Sequence, residues 1–462
     1  MSVAAAQKQQ LGLLILLTGV TFIAARMLSS ASTEHALVYV LGTIACILSF
    51  LNAEIAMFFL IIAMLLSPEF DTGSATTGAS LGRAVTLRVD DFLLLIICFT
   101  WFIKSVLYKE ISLLKHTPLN GAIYLYSFAA ILSTMLGVLG GNVDPKTGFL
   151  FVLKYIEYFL VFWMVVNTVL DEGQIRRFVI VTLIVAVVVC VVAIAQIPSG
   201  GRVSAPFEGP NGEPNTLGGY LLLIMSVSGA MVLVDTPYRW PAAGVTLIVA
   251  TAFTYTLSRA SYLGLIPVVL LLPLLTRRYF LLIGAISIGL LLTVFSQQML
   301  PRVVYERLNY TFTQESTHSA QVKILGTRVD TSTSARLLYM QASIDAFMEK
   351  PILGWGVTGW HFLDSQYFRS LAETGLFGIA TLFYLLFRVL QVTWRSLNAM
   401  RDRDPFFFAL AAGFLAGTAG LMMHAIGSNT FIIVRIMEPF WLLCALVYLL
   451  PILTVPAEKK TA

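Results

Sequence analysis

Arg202 is the first residue whose position suggests chemistry. It follows Gly200 and Gly201 in a loop rich in Gly, Pro and Asn, and Asn215 stands at the head of the next apolar run. Irregular backbone of this kind is tolerated at membrane depth only where it lines a cavity or is covered by protein. Arg202 is therefore a candidate anion ligand, and the alternative is a turn arginine that touches a lipid phosphate.

Arg259 interrupts an otherwise continuous apolar run from 241 to 276. An arginine inside a bilayer costs about 2.5–3.5 kcal/mol on insertion scales, so it must snorkel to the interface or face a polar cavity. If Arg202 lies on the same side, the two guanidiniums can clamp one phosphate or pyrophosphate. Arg336 is a weaker third candidate, and the alternative for Arg259 is a snorkelling loop arginine without a ligand.

A third polar group lies in the stretch GWGVTGWHFLDSQYFRSLAETGLFG at 354–378. Its first glycines match G-x-G-x-x-G, but no strand precedes them, so we expect close chain packing and not a dinucleotide site. His361 and Asp364 are the neighbouring groups able to accept a proton near neutral pH. Asp364 can instead be a helix cap, and Glu373 is spaced to pair with Arg369.

Two further charges, Arg435 and Glu438, lie three residues apart in the last apolar run. This spacing predicts that they face one side and neutralise one another, and we favour a structural ion pair that holds the last helix to the bundle. A secondary set of residues is therefore expected to support the site: Asn215, Tyr367, Glu373, Arg435 and Glu438.

The composition restricts the elements that can position these residues. Of 462 residues, 58% are hydrophobic and 12% charged, which excludes a soluble enzyme and a disordered chain. The net charge of +5 comes from scattered residues without a basic run, so no nucleic-acid partner is expected. The four cysteines fall in apolar stretches, which argues against disulfides, and no metal-ligand spacing is present, so we predict no metal and no cofactor.

Long apolar runs predict an all-α fold, a polytopic membrane helix bundle of about 12–14 transmembrane helices, since each span needs ~20 apolar residues. Residues 11–29 are interpreted as a span because their apolar region is too long for a cleaved signal peptide. The third run is short enough to be re-entrant. The runs are 11–29, 36–52, 54–67, 91–107, 120–140, 149–170, 178–197, 216–235, 241–257, 260–276, 279–297, 371–391, 406–424 and 430–452.

Lysines and arginines alternate between the loops in a way that predicts the orientation. Short loops near 104–115, 176–177, 239, 277–278 and 395–403 are positive and are expected to be cytoplasmic, together with both termini. The segments 68–90, 198–215 and 297–370 then face outward, with Arg83 and Arg88 as exceptions to the pattern. We divide the chain into an N-terminal bundle of about 11 spans (1–297), one large external loop (298–370), and C-terminal helices with a cytoplasmic tail (371–462).

The large external loop contains a predicted amphipathic helix at 334–349. Leu337, Met340, Ile344 and Phe347 recur at helical spacing, and Pro351 ends the pattern. Such a helix is expected to lie on the outer leaflet or to cap the bundle.

The motifs in this order resemble the O-antigen ligase and polymerase superfamily of bacterial inner-membrane proteins. The matching segments are RVDDF at 88–92, KYIEYF at 154–159, Arg202 with PN at 214–215, SRA at 258–260, SAR at 334–336, PILGWG at 351–356, DSQYFRSLAETGLFG at 364–378 and MEPFW at 437–441. The resemblance implies a metal-independent, inverting glycosyltransferase with a GT-C-like fold. It also implies an undecaprenyl-pyrophosphate-linked oligosaccharide donor and an acceptor hydroxyl on the outer face of the inner membrane.

In that family, two outer-face arginines matching Arg202 and Arg259 are expected to hold the pyrophosphate. Ligases carry a histidine as the proposed base where this chain has Asp364. The aspartate favours polymerisation of a cell-envelope polysaccharide or exopolysaccharide, with ligation to lipid A core or protein as the alternative. The implied partners are the donor, a glycan or lipid acceptor, membrane lipids and envelope polysaccharide assembly proteins.

Charge neutralisation by Arg202, Arg259 and Arg336, with Asp364 removing or orienting the acceptor proton, suits a pyrophosphate leaving group. A transporter or flippase for the same lipid-linked glycan is a second hypothesis, but no inverted repeat is visible in the sequence. A structural scaffold for envelope synthesis is a third, and it requires freely replaceable arginines.

Overall fold

The structure is a computed structural model that describes residues 47–48, 52–67, 69–71, 86–88, 91–99, 115–208, 212–313, 322–324, 327–361 and 364–454. The predicted run 11–29, nearly all of 36–52, Arg83 and the positive residues near 104–109 lie outside the described residues.

Helices make up almost all of the described secondary structure. They are α1 (Ala53–Leu66), α2 (Asn120–Leu139), α3 (Pro145–Thr168), α4 (Glu172–Ala195), α5 (Pro214–Leu233), α6 (Arg239–Tyr255), α7 (Arg259–Leu275), α8 (Tyr279–Met299), α9 (Arg302–Thr313), α10 (Thr331–Glu349), α11 (Gln366–Met400), α12 (Pro405–His424) and α13 (Val434–Leu453). Residues 91–99 are also helical. Two antiparallel pairs of very short strands complete the fold, β1 (Glu69–Asp71) with β2 (Thr86–Arg88), and β3 (Lys323–Ile324) with β4 (Thr327–Arg328).

This architecture confirms the predicted all-α membrane bundle. Among the described residues, seven helices are long and apolar enough to cross a membrane: α2, α3, α4 with the turn that follows it, α5, α11, α12 and α13. Shorter apolar helices are α1, α7 and the first part of α8. Apolar run length predicted these helices because, in hydrocarbon, every backbone polar group must be satisfied within the segment. The described cysteines Cys98, Cys190 and Cys444 are free thiols.

Helices α5, α7 and α12 pack closely against one another, and α5, α12 and α13 are the most deeply buried membrane-length helices described. Small residues allow the first three to approach closely: a Cβ at Gly413 of α12 would lie 2.5 Å from the Val227 Cα of α5, and one at Gly420 would lie 2.9 Å from the Gly264 carbonyl of α7. Buried Ser226 also donates a hydrogen bond to the Gly413 carbonyl at 2.8 Å. Close backbone approach of this kind drives helix association where lipid is as apolar as the side chains.

Contacts between helix ends identify the two ends of the bundle. We call the "site end" the one where α5 and α7 begin, because Asn215 and Ser258 meet there at 2.8 Å. The start of α11 and the end of α12 meet at the same end, where the Gln366 amide donates to the Ala425 carbonyl. The "opposite end" holds the starts of α4 and α12, which Arg176 and Asp404 join at 2.5 Å.

Arg435 and Glu438 fasten α13 at the site end, each to a different element. The Arg435 guanidinium donates to the carbonyls of Leu65 and Pro206, both at 3.2 Å, and faces the Glu208 carboxylate at 3.8 Å. Glu438 pairs with Arg88 of β2 at 3.3 Å. The sequence predicted that Arg435 and Glu438 would neutralise one another. Their spacing could not reveal these ion-pair partners, which lie hundreds of residues away along the chain.

The segment between α8 and α11 contains the expected helix. α10 runs from Thr331 to Glu349, a little longer than the predicted 334–349, and Asp330 caps it by accepting from the Thr333 amide at 3.0 Å. Its buried residues are small (Ser334, Ser343 and Ala346), whereas Ile344 of the predicted apolar face is exposed. The large apolar side chains therefore do not form a protein core here, and their contact with a lipid surface stays a prediction.

Candidate functional site

The Arg202 loop is held against the starts of two helices. The Arg202 Nε donates to the Thr256 carbonyl at 2.9 Å, and its Nη2 donates to Asn215 Oδ1 at 3.1 Å. The same Asn215 oxygen accepts from Ser258 Oγ at 2.8 Å, and Ser258 caps α7. The PN and SRA motifs thus meet in space and position Arg202 through one shared amide oxygen.

Arg259 lies at the first position of α7 and makes four hydrogen bonds. Its Nη1 donates to Thr311 at 2.6 Å, Thr333 at 3.0 Å and Asp330 Oδ1 at 3.3 Å, and its Nη2 donates to Asp330 Oδ2 at 2.8 Å. Asp330 is almost fully buried. Arg259 therefore connects the bundle to α9 and α10, a role that the sequence did not suggest.

Arg336 and Asp364 form the second ion pair of the site. Arg336 Nη2 lies 2.9 Å from Asp364 Oδ2, and about a third of the Asp364 side chain is exposed. His361 is exposed and packs edge-on against the Trp360 ring at 5.2 Å. No hydrogen bond joins the described side chains of His361 and Asp364, and their role as proton acceptors stays a prediction.

Arg307 of α9 is a fourth arginine, which the sequence reasoning missed. Its Nε is buried and has no hydrogen-bond partner within the part of the chain that the structure describes. Partial burial and the positive charge of Arg259 lower the pKa of Arg307. The sequence signal was weak, because α9 is a short polar helix in which Arg302 and Arg307 look equivalent. Only Arg307 faces the other arginines, whereas Arg302 is exposed and pairs with Glu306.

We call Arg202, Arg259, Arg307 and Arg336 the arginine cluster. Arg202 is open to solvent on one side, but partial burial and the charges of Arg307, Arg336 and Arg259 lower its pKa to about 10. Two carboxylates, Asp330 and Asp364, pair with members of the cluster. Four guanidiniums facing two carboxylates leave excess positive charge, which favours a dianionic ligand.

Asp330 remains a carboxylate within this cluster. Burial alone would raise its pKa, but hydrogen bonds from Arg259 and Thr333 outweigh burial and hold the pKa below its ordinary value of 3.8. Asp330 is therefore ionised at neutral pH where it faces Arg259.

Two buried polar atoms near Asp364 lack partners in the described structure. One is the hydroxyl oxygen of Ser365, the next residue in the chain, and the other is His424 Nε2 at the end of α12. The His424 Nδ1 is 2.8 Å from the Thr430 hydroxyl, and the backbone of Asn215 also lies within reach of this ring. Buried polar atoms are nearly always hydrogen-bonded in folded proteins, so the Ser365 hydroxyl indicates a place for a polar ligand group or water.

The glycine-rich stretch packs under this site as expected. Gly354 has a φ of +65°, and a Cβ there would lie 2.5 Å from the Glu373 carbonyl carbon. Glu373 pairs with Arg369 at 3.0 Å, both buried, and accepts from the Thr358 amide at 3.1 Å. Tyr367 donates to the Met422 carbonyl at 2.7 Å and joins α11 to α12. These contacts fix the side chains of Glu373 and Tyr367, and both side chains in turn hold the backbone around Asp364.

The fold and this cluster define a multi-pass membrane protein with a candidate site for an anionic ligand at one end of its helix bundle. Residues 244–383 match the family model described as O-antigen ligase. The match confirms the resemblance to the O-antigen ligase and polymerase superfamily, and it supports transfer of a lipid-linked glycan as the general function. The matched segment contains Arg259, Arg307, Arg336 and Asp364, whereas Arg202 precedes it. No curated protein matches the chain.

Proposed function

We propose that this protein polymerises a polysaccharide. In this proposal it transfers a glycan from an undecaprenyl-pyrophosphate-linked donor to the hydroxyl of a growing chain, at the outer face of the bacterial inner membrane. The observation that carries the proposal is the arginine cluster, in which four guanidiniums face two carboxylates among the residues that the structure describes. A pyrophosphate supplies the missing negative charge, and its negative charge increases as the sugar leaves.

The cluster members have different roles in this proposal. Arg202 and Arg307 contact the pyrophosphate, because neither is paired with a carboxylate among the described residues. Arg259 and Arg336 contribute charge while they hold Asp330 and Asp364 in place. Positive groups positioned before the reaction stabilise a leaving group without reorganisation, so this arrangement needs no metal ion to neutralise the pyrophosphate.

Asp364 orients or deprotonates the acceptor hydroxyl. The acceptor oxygen forms a bond to the anomeric carbon from the face opposite the pyrophosphate, and the bond from that carbon to the phosphate oxygen breaks. The electron pair leaves on the pyrophosphate, and the acceptor proton moves to the Asp364 carboxylate, so configuration is inverted. The partial exposure of Asp364 supports this role because an acceptor can reach it.

A mainly apolar recess, whose lining also includes Gln196, Ser204 and Glu208, lies beside the Arg202 loop and suits the lipid tail of the donor. It has a volume of about 520 Å³ and lies between Leu66, Val188 and Val192 on one side and residues 204–208 on the other. Ser204, which lines the recess, is only two residues after Arg202. The isoprenoid chain of a donor whose pyrophosphate is held by Arg202 can therefore enter this recess.

The choice of a polysaccharide acceptor rests on Asp364. The resembling ligases have a histidine at the corresponding position, whereas here His361 lies three residues earlier and packs against the Trp360 ring. Ligation of the glycan to lipid A core or to a protein is the alternative.

The test uses purified full-length protein in lipid nanodiscs with a lipid-linked repeat unit as donor. We expect Arg202→Gln and Arg307→Gln to slow chain lengthening by roughly 100-fold, the effect of losing one donor to a developing oxyanion. Asp364→Asn should also slow it strongly. The matched control is Arg302→Gln, on the same helix as Arg307 but exposed.

If Arg202→Gln and Arg307→Gln lengthen the polysaccharide as fast as the unaltered protein does, the proposed site is wrong. If the product is a single glycan unit on lipid A core and no chain is lengthened, the protein is a ligase and not a polymerase. Movement of the donor across a vesicle membrane without any acceptor would favour a flippase.

A further inference from the structure

A second group of arginines surrounds a recess at the opposite end of the bundle. The recess has a volume of about 540 Å³ and lies between the loops that follow α5, α7 and α11. Its charged lining consists of Arg277, Arg278, Arg401, Arg403, Asp235 and Asp402. None of these residues belongs to the arginine cluster.

The charges of this recess are incompletely neutralised. Arg278 pairs with Asp235 at 3.1 Å, and Asp235 also pairs with Arg239 at 3.0 Å. Arg277, Arg401 and Arg403 have no ion pair in the part of the chain that the structure describes, and the Arg401 Nε is buried without an acceptor. Asp402 is the one remaining carboxylate of the lining. The recess therefore has an excess of positive charge and a buried donor that needs an acceptor.

Its position matches the phosphate level of a bilayer. α5 runs from Pro214 at the site end to Leu233 beside the recess. A helix of this length spans about 30 Å, which is the thickness of the hydrocarbon core. The recess also contains the apolar side chains of Leu233, Val234 and Phe408. Charged and apolar groups are thus side by side where a phospholipid changes from acyl chain to headgroup.

We propose that this recess binds the phosphodiester headgroup of an acidic phospholipid. Arg401 and Arg277 bind the phosphate oxygens, and the apolar residues contact the first carbons of the acyl chains. Ordinary topology signals require only scattered positive residues near helix ends. Arginines from two separate loops that converge on one cavity, with one buried and unsatisfied donor, are typical of a headgroup pocket between transmembrane helices.

The test measures lipid binding to the full-length protein in detergent by native mass spectrometry. The probes are phosphatidylglycerol, phosphatidylcholine as the zwitterionic comparison, and inorganic phosphate. We expect the protein to retain phosphatidylglycerol in preference to phosphatidylcholine. Each arginine contributes roughly fivefold, so the double variant Arg277→Gln/Arg401→Gln should bind phosphatidylglycerol about 25-fold more weakly.

The control is Arg395→Gln, an exposed arginine of α11 that does not line the recess. It should bind phosphatidylglycerol as the unaltered protein does. Equal weakening by the control, or unchanged binding by the double variant, would overturn the site. Arg403→Gln, at an exposed position, tests the same point should the double variant fold poorly. If inorganic phosphate at the same concentration displaces the lipid, the ligand is a soluble phosphate and the lipid assignment is wrong.

Discussion

Two groups of arginines at the site end differ in how completely they are paired. Arg435 is buried, donates to three backbone carbonyls and forms an ion pair with Glu208, while Arg88 pairs with buried Glu438. The arginine cluster is partly open, and partial burial together with the charges of neighbouring members lowers the pKa of Arg202 and of Arg307. Paired charges hold α13 and the irregular segments together, whereas unneutralised charges are available for a ligand. The type of residue is the same, and the pairing distinguishes structure from function.

The largest expected effect follows from breaking the fully paired group. Arg435→Met removes the ion-pair partner of Glu208 and the donor to three backbone carbonyls, and removing one partner of a buried ion pair costs about 3–5 kcal/mol. We expect a large fall in the thermal unfolding temperature of the detergent-solubilised protein. Arg302→Met, at an exposed position, should leave that temperature nearly unchanged. A similar temperature for both variants would show that the Arg435 contacts are not structural.

Arg259 is paired with a buried carboxylate and also belongs to the arginine cluster. A double-mutant cycle with Asp330 separates its structural role from its role in ligand binding. If their bidentate contact holds α9 and α10, then Arg259→Gln, Asp330→Asn and the double variant should show a coupling of about 1–3 kcal/mol in unfolding free energy. Transfer activity should fall in both variants that lack Arg259, and less in Asp330→Asn. If the effects of the two substitutions on unfolding free energy are additive, the Arg259–Asp330 pair has no structural role.

Acid should release α10 through Asp330. The pKa of Asp330 lies below 3.8 in the folded protein, so its stabilising contribution is complete at pH values above 3.8. That contribution is lost as pH falls through the folded-state value, when the carboxylate binds a proton. Protease cleavage between α9 and α10 should increase below pH 3.8 in the unaltered protein. Asp330→Asn should show fast cleavage at neutral pH and a weaker acid response, and an identical pH profile would contradict this role.

A change in salt concentration is expected to have the smallest effect, and it distinguishes the arginine cluster from the buried Arg435 group. Raising ionic strength from 0.01 M to 0.15 M shortens the Debye length from about 30 Å to about 8 Å and screens exposed charges more than buried ones. Binding of inorganic pyrophosphate to the arginine cluster should weaken severalfold. The unfolding temperature, which depends on the buried Arg435 group, should change little. A salt effect on stability as large as that on binding would remove the distinction between the two groups.

Some of the site could be predicted from the sequence alone. Apolar run lengths predicted most of the described membrane helices, whereas α11 extends nine residues beyond the predicted end at 391. The sequence also singled out Arg202, Arg259 and Arg336, three members of the cluster. The glycine pattern predicted close packing, which Gly354 shows. The partner of Asp364 was missed because residues on α10 and at the start of α11 come together only through packing.

The hydrophobic effect acts on each apolar run locally, so the sequence by itself determined the membrane-helix class, the helix positions and a short set of candidate charges. Only the tertiary structure decided what each charge does. It showed that Arg307 faces the cluster and Arg302 does not, that Arg259 is tied to Asp330, and that Glu438 pairs with Arg88. The physical reason is that a charge interacts with neighbours a few ångströms away, and in a bundle those neighbours come from distant parts of the chain.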